Sequence, residues 1–114
     1  MLEIIGQLNN KNVDITKLII TEHMKHRLYR INFNNEYLNN KNIYKSYLVN
    51  TNHKNGKEIH IILKNATILI LNNKTKKLIT ILNARKGQLI RYDKKTPNFM
   101  LKLAHRNEVE KRNK

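Results

Sequence analysis

Metal-free chemistry on a phosphodiester is built from histidine and arginine, and this chain sets both at regular spacing. His23, Arg27 and Arg30 stand at i, i+4 and i+7, so on a helix they share a stripe turned away from Met24 and Leu28. Further on, His60 lies among Ile59, Ile61 and Ile62, and Thr80 lies between Ile79 and Ile81. By alternation each puts a polar group on one face of its strand. Cleaving RNA without a metal takes a base for the 2′-hydroxyl, an acid for the departing oxygen, and fixed positive charge around the transition state. Imidazole suits the proton transfers near neutral pH, and guanidinium grips two phosphate oxygens in a fork. His23 and His60 as base and acid, Arg27 and Arg85 on the phosphate and Thr80 orienting it form a candidate catalytic set. Lys25, Arg30, Arg91 and Tyr92 are candidate contacts to the rest of the nucleic acid.

Each of these residues also has a plainer reading. A cationic helix stripe is commonly a solvated face, His60 a partly buried, hydrogen-bonded histidine, and Thr80 a good strand former. The residues alone leave both readings open.

Other chemistries lack their parts. The eight carboxylates form no paired acidic motif of the kind a two-metal nuclease needs. His23 and His26 are spaced to grip a metal from one helix, but no third ligand is tied to them, so neither a metal nor a cofactor is expected. No glycine-rich phosphate loop, no Gly-x-Ser-x-Gly elbow and no cysteine nucleophile occurs.

The charge balance names the partner class. Lys and Arg total 23 against 8 Asp and Glu, a formal charge of +15 on 114 residues, which self-repels unless a polyanion neutralises it. A composition rich in Lys, Asn and Ile also carries the imprint of an AT-rich genome, but Asn and Ile are neutral and do not account for the charge. Nucleic acid, RNA first, is the expected partner. A membrane is not, because the sequence shows neither an amphipathic helix with bulky anchors nor a span of roughly 20 apolar residues. With no cysteine for a disulfide, and with Glu3, Gln7 and Asn residues in place of a signal-peptide pattern, a cytoplasmic location is expected.

The elements that must position these residues are read from breaks and periodicity. Three Gly and one Pro leave Asn pairs to mark most turns. A helix is expected over Thr21 to Arg30, capped by Thr21, with Met24, Leu28 and Ile31 inward. A second, weaker helix is expected from about Asn35 to Tyr47. Glu58 to Lys64, Ala66 to Leu71 and Leu78 to Leu82 read as strands, the last two joined as an antiparallel hairpin through residues 72–77. Leu89 to Tyr92 reads as a fourth strand. Thr96 is expected to cap a C-terminal helix with Pro97 at its first position, and Arg106 to Lys114 to fray. The pattern is α+β, with residues 1–95 as the body and 96–114 as a helix and charged tail of the same single domain.

The residues Ile19-Ile20-Thr21-Glu22-His23-Met24-Lys25-His26-Arg27-Leu28-Tyr29-Arg30-Ile31, the pair Glu58 and His60 after Gly56, and Leu78-Ile79-Thr80-Ile81-Leu82-Asn83-Ala84-Arg85 together carry a resemblance. Over roughly residues 1–92 the chain resembles the superfamily of small metal-independent ribonucleases that groups barnase, EndoU, the colicin tRNases and RelE. The opening Ile5-Gly6-Gln7-Leu8-Asn9 is similar to the start of phage-associated members. The resemblance implies one or two N-terminal helices packed on a four-stranded antiparallel sheet, and a toxin with a neutralising antitoxin or immunity protein. It implies active-site positions at His23, Arg27 and Thr80, and, by weaker transfer, at His60 and Arg85. The competing expectation is a basic nucleic-acid-binding or phage regulatory protein that performs no chemistry, with Tyr29, Tyr44 and Tyr92 as stacking platforms for unpaired bases. A third is an inhibitor that acts on another protein through its charged surface.

Overall fold

A computed structural model describes residues 3–31, 33–51 and 56–112, with side chains described as far as Val109. Five strands form one antiparallel meander: β1 (Glu3–Leu8), β2 (Ile43–Asn50), β3 (Lys57–Leu63), β4 (Thr67–Asn72) and β5 (Leu78–Asn83). The helix α1 (Glu22–Arg30) precedes β2, and α2 (Lys86–Tyr92) and α3 (Asn98–Arg112) follow β5. Single 3-10 turns at Asn10–Asn12, Ile15–Lys17, Asn35–Tyr37 and Asn40–Asn42 fill the stretches between β1 and β2. The fold is α+β.

The sheet is covered on both faces, which explains why its middle strands read as nearly unbroken aliphatic runs. Alternate residues Ile59, Ile61 and Leu63 of β3 pack with Met24 and Leu28 of α1 and with Val13 and Ile15 of the turn before it. On the other face Ile62, with Val49, Tyr47 and Ile68, packs with Leu89 of α2 and with Met100 and Ala104 of α3. The C-terminal helix therefore shares its core with the sheet.

The α1 boundaries follow the sequence closely. The Thr21 hydroxyl accepts the Met24 N–H at 3.3 Å, Glu22 sits in the positive first turn, and Arg27 and Arg30 sit in the negative last turn.

Four expectations are corrected. The helix expected over Asn35 to Tyr47 is two 3-10 turns followed by β2. Asn34 and Asn39 accept the backbone N–H two residues on, from Glu36 and Lys41, and these local bonds close single turns in place of a helix. Ile43, Tyr44, Tyr47 and Val49 then have the branched and aromatic character of a strand, and their helical spacing is coincidental. The strand expected at Leu89 to Tyr92 is the second half of α2. The Arg85 N–H donates to Gln88 Oε1 at 2.8 Å and starts a helical turn, which buries Leu89 under the sheet. The sheet has five strands because β1, half-exposed and broken in register around Gly6, adds itself beside β2. Among the described residues one α-helix, α1, lies between β1 and β2, and none precedes β1.

The last helix is also displaced at its ends. The Pro97 carbonyl accepts from Met100 and Leu101, so proline occupies the cap and Asn98 the first turn. The Thr96 hydroxyl donates instead to the carbonyls of Leu89 and Asp93, which ties α2 to α3. Helix α3 continues through Arg112, past the expected fraying point at Arg106; Asn113 and Lys114 lie outside the described residues. No helix among the described residues is long and apolar enough to cross a membrane.

Candidate nucleic-acid interface

Helix α1 buries Met24 and Leu28 and leaves His23, Lys25, His26, Arg27, Tyr29 and Arg30 exposed. Its cationic flank is fastened to the edge strand β5: the Arg27 Nε–H donates to the Ile81 carbonyl at 3.2 Å. The chain entering α1 joins the same edge lower down, where the Leu78 N–H donates to the Ile19 carbonyl at 3.1 Å. Helix and strand thus form one seam, with Lys76 and Lys77 at one end and Arg85 and Lys86 at the other, all four exposed. Acidic relief is slight. Glu22 pairs with Lys25 at 3.0 Å with both side chains largely in solvent, and the Glu108 carboxylate accepts the Lys86 backbone N–H. An exposed pair of this kind stabilises little, so the seam keeps a positive surface fit for a phosphate backbone.

His60 lies elsewhere. It is 1% exposed on the α2–α3 face of the sheet, in register with Tyr47 on one side and Ile70 on the other. Its Nε2–H donates to Glu58 Oε1 at 3.1 Å, and its Nδ1 accepts from the Tyr92 hydroxyl at 2.6 Å, the tautomer that serves both neighbours. Burial holds its pKa below 6.5, with Glu58 pulling the other way. Tyr92 in turn stacks obliquely against Tyr47 at 5.4 Å between ring centres, and burial pushes its phenol up to about 12. This is a satisfied interior network that no nucleic acid reaches without opening the core.

The structure therefore divides the candidate residues. His23, Lys25, Arg27 and Arg30 are together on exposed α1, and Arg85 is exposed where β5 passes into α2. Thr80 is half-buried and shares the row of His60 and Ile70, so its side chain lies on the α2–α3 face, although its neighbour Ile81 holds Arg27. Arg91 is exposed on α2, across the sheet from α1, and Tyr92 is committed to His60. No known family model, curated protein or solved structure matches this chain. The site thus rests on its own geometry.

Two groups matter here to which the sequence reading assigns no role. Glu58 stands two residues before His60, on the same strand face, and that spacing is the signal that a carboxylate and an imidazole meet. Asp93 carries no such signal: Tyr44 Oη and Lys45 Nζ, distant in sequence, both donate to it, and these bonds hold its carboxyl down at about 2. That cluster braces β2 against the end of α2. Among the three tyrosines considered for stacking, Tyr44 and Tyr92 are thereby engaged, and Tyr29 is 84% exposed.

Proposed function

We propose that this protein binds single-stranded RNA along the seam between α1 and β5. The observation that carries the reading is the Arg27 to Ile81 bond, which locks a helix flank bearing His23 and Arg30 beside the strand edge that leads to Arg85. Of the five N–H groups of the Arg27 guanidinium, that bond uses one, so the fork on the Nη side stays free for a phosphate. Binding is tested by fluorescence anisotropy with a labelled single-stranded RNA at several salt concentrations. The double substitution Arg30→Glu with Arg85→Glu, both exposed, should lower affinity at least about tenfold and flatten the dependence of log affinity on log salt by roughly 0.7 for each phosphate no longer neutralised. An unchanged affinity and slope would place the RNA surface elsewhere.

Metal-independent cleavage at the same seam is the second reading, favoured by the position of His23 one turn before Arg27 on one exposed flank. His23 takes the 2′-hydroxyl proton, the 2′-oxygen attacks phosphorus, the bond to the 5′-oxygen breaks, and a 2′,3′-cyclic phosphate remains. In this scheme His26, exposed on the next turn, returns a proton to the leaving oxygen. His60, sealed with Glu58 and Tyr92, has no part in this scheme. A toxin of this kind would need an antidote protein, and the seam is the surface such an antidote would cover.

A further inference from the structure

On the other flank of α1, away from β5, the helix and the chain that follows it enclose a cleft of about 310 Å³ lined by Ile20, Lys25, Leu28, Tyr29, Phe33 and Asn35. We infer that this cleft is a subsite for one unpaired nucleobase of the bound strand, and the inference rests on the RNA-binding reading above.

The cleft has the size and chemistry of a base site. Its volume falls at the small end of the roughly 300–1,000 Å³ range of small-molecule sites. Its floor is aliphatic and aromatic, from Ile20, Leu28 and Phe33, and the Phe33 N–H bond to the Leu28 carbonyl at 3.0 Å holds that wall against the end of α1. Tyr29 stands at its rim 84% exposed, with a free face for stacking. Asn35 supplies an amide that can both donate to and accept from a base edge. Lys25 supplies a charge for the adjoining phosphate, since its partner Glu22 holds it through an exposed pair only.

The placement relative to the seam supports the same occupant. A helix with its side chains is about 10–12 Å across, so a strand held by Arg27 and Arg30 on one flank needs to cross only the crest of α1 to seat a base against Tyr29. A flat apolar surface for a protein would not need the ammonium that Lys25 sets in the lining of this one. A duplex, with its bases stacked inside, could not fill the cleft, so the subsite also makes single strands the preferred form.

The test compares a labelled six-nucleotide RNA with the same strand carrying one central abasic sugar, identical in charge, on the wild-type protein and on Tyr29→Ala and Tyr29→Phe. The wild type should favour the intact strand by about tenfold. Tyr29→Ala should lose that preference and keep its salt dependence, and Tyr29→Phe should keep both. Strands bound alike by the wild type, or a preference that survives Tyr29→Ala, would overturn the subsite while leaving seam binding intact. Failure of either strand to bind in a salt-dependent way would overturn the RNA-binding reading and the subsite together. Circular dichroism of each variant confirms the fold; Tyr29 is exposed enough that its replacement should not disturb it.

Discussion

The Arg27 side chain and the Ile81 carbonyl meet at 3.2 Å across 54 residues of chain, and the bond satisfies an edge-strand acceptor that β4 does not reach. The same residue is therefore both a structural tie and the centre of the cationic flank. Lysine keeps the charge but offers a single ammonium, which cannot hold the carbonyl and present a planar fork together. Arg27→Lys should lower stability by about 1 kcal/mol and weaken RNA binding several-fold. Urea unfolding and anisotropy measure the two effects separately, and a variant with native stability and native affinity would remove Arg27 from both roles.

The interior network gives the opposite separation. Tyr92→Phe removes only a hydroxyl, yet it leaves His60 Nδ1 buried without its donor, which costs about 1–3 kcal/mol. Because that network lies on the α2–α3 face, RNA affinity should not change. A drop in melting temperature by calorimetry with unaltered binding is the expected result; loss of binding at full stability would bring the network into the functional site.

Much of this architecture is legible in the sequence where local chemistry and burial agree. Thr21 and Glu22 mark the start of α1 through capping and dipole, and the Ile- and Leu-rich runs of β3, β4 and β5 read as strands because the sheet is covered on both faces. Legibility ends where local bonds decide. Asn34 and Asn39 close turns that helical spacing cannot reveal, and Gln88 starts a helix in a stretch whose composition suits a strand. The cationic half of the site is legible because its spacing lies within one helix. His60 is legible only as one of two readings, and the plainer one, a hydrogen-bonded interior histidine, holds: its partners are a partly buried tyrosine and a buried carboxyl, and one polar residue in a strand does not name them.

Two acid transitions should appear in the stability profile. His60 has its pKa depressed by burial below 6.5, so in the folded state it resists a proton that the unfolded chain accepts. Its contribution is present above pH 6.5 and is lost as pH falls toward the folded value. Asp93, held at about 2 against 3.8 by Tyr44 and Lys45, contributes stability above pH 3.8 that is lost as pH falls through 2. That second step amounts to about 2 kcal/mol. Denaturant unfolding from pH 8 to pH 2 measures both, and Asp93→Asn should remove the lower step alone. A profile with the lower step intact in Asp93→Asn would assign it to other carboxylates.

Cleavage, if the seam performs it, should depend on the exposed histidine and be indifferent to the buried one. With total RNA in the presence of a chelator, the wild type should release fragments ending in 2′,3′-cyclic phosphate, and His23→Asn should slow that release by about 100-fold while binding RNA nearly as well. Tyr92→Phe, which disturbs His60 without touching α1, should cleave at the wild-type rate at a temperature where both remain folded. Equal loss in the two variants would mean that the core network opens to the substrate and that the seam is not the centre of the reaction. Intact RNA with the wild type, under conditions in which it is bound, would leave binding as the function of this surface.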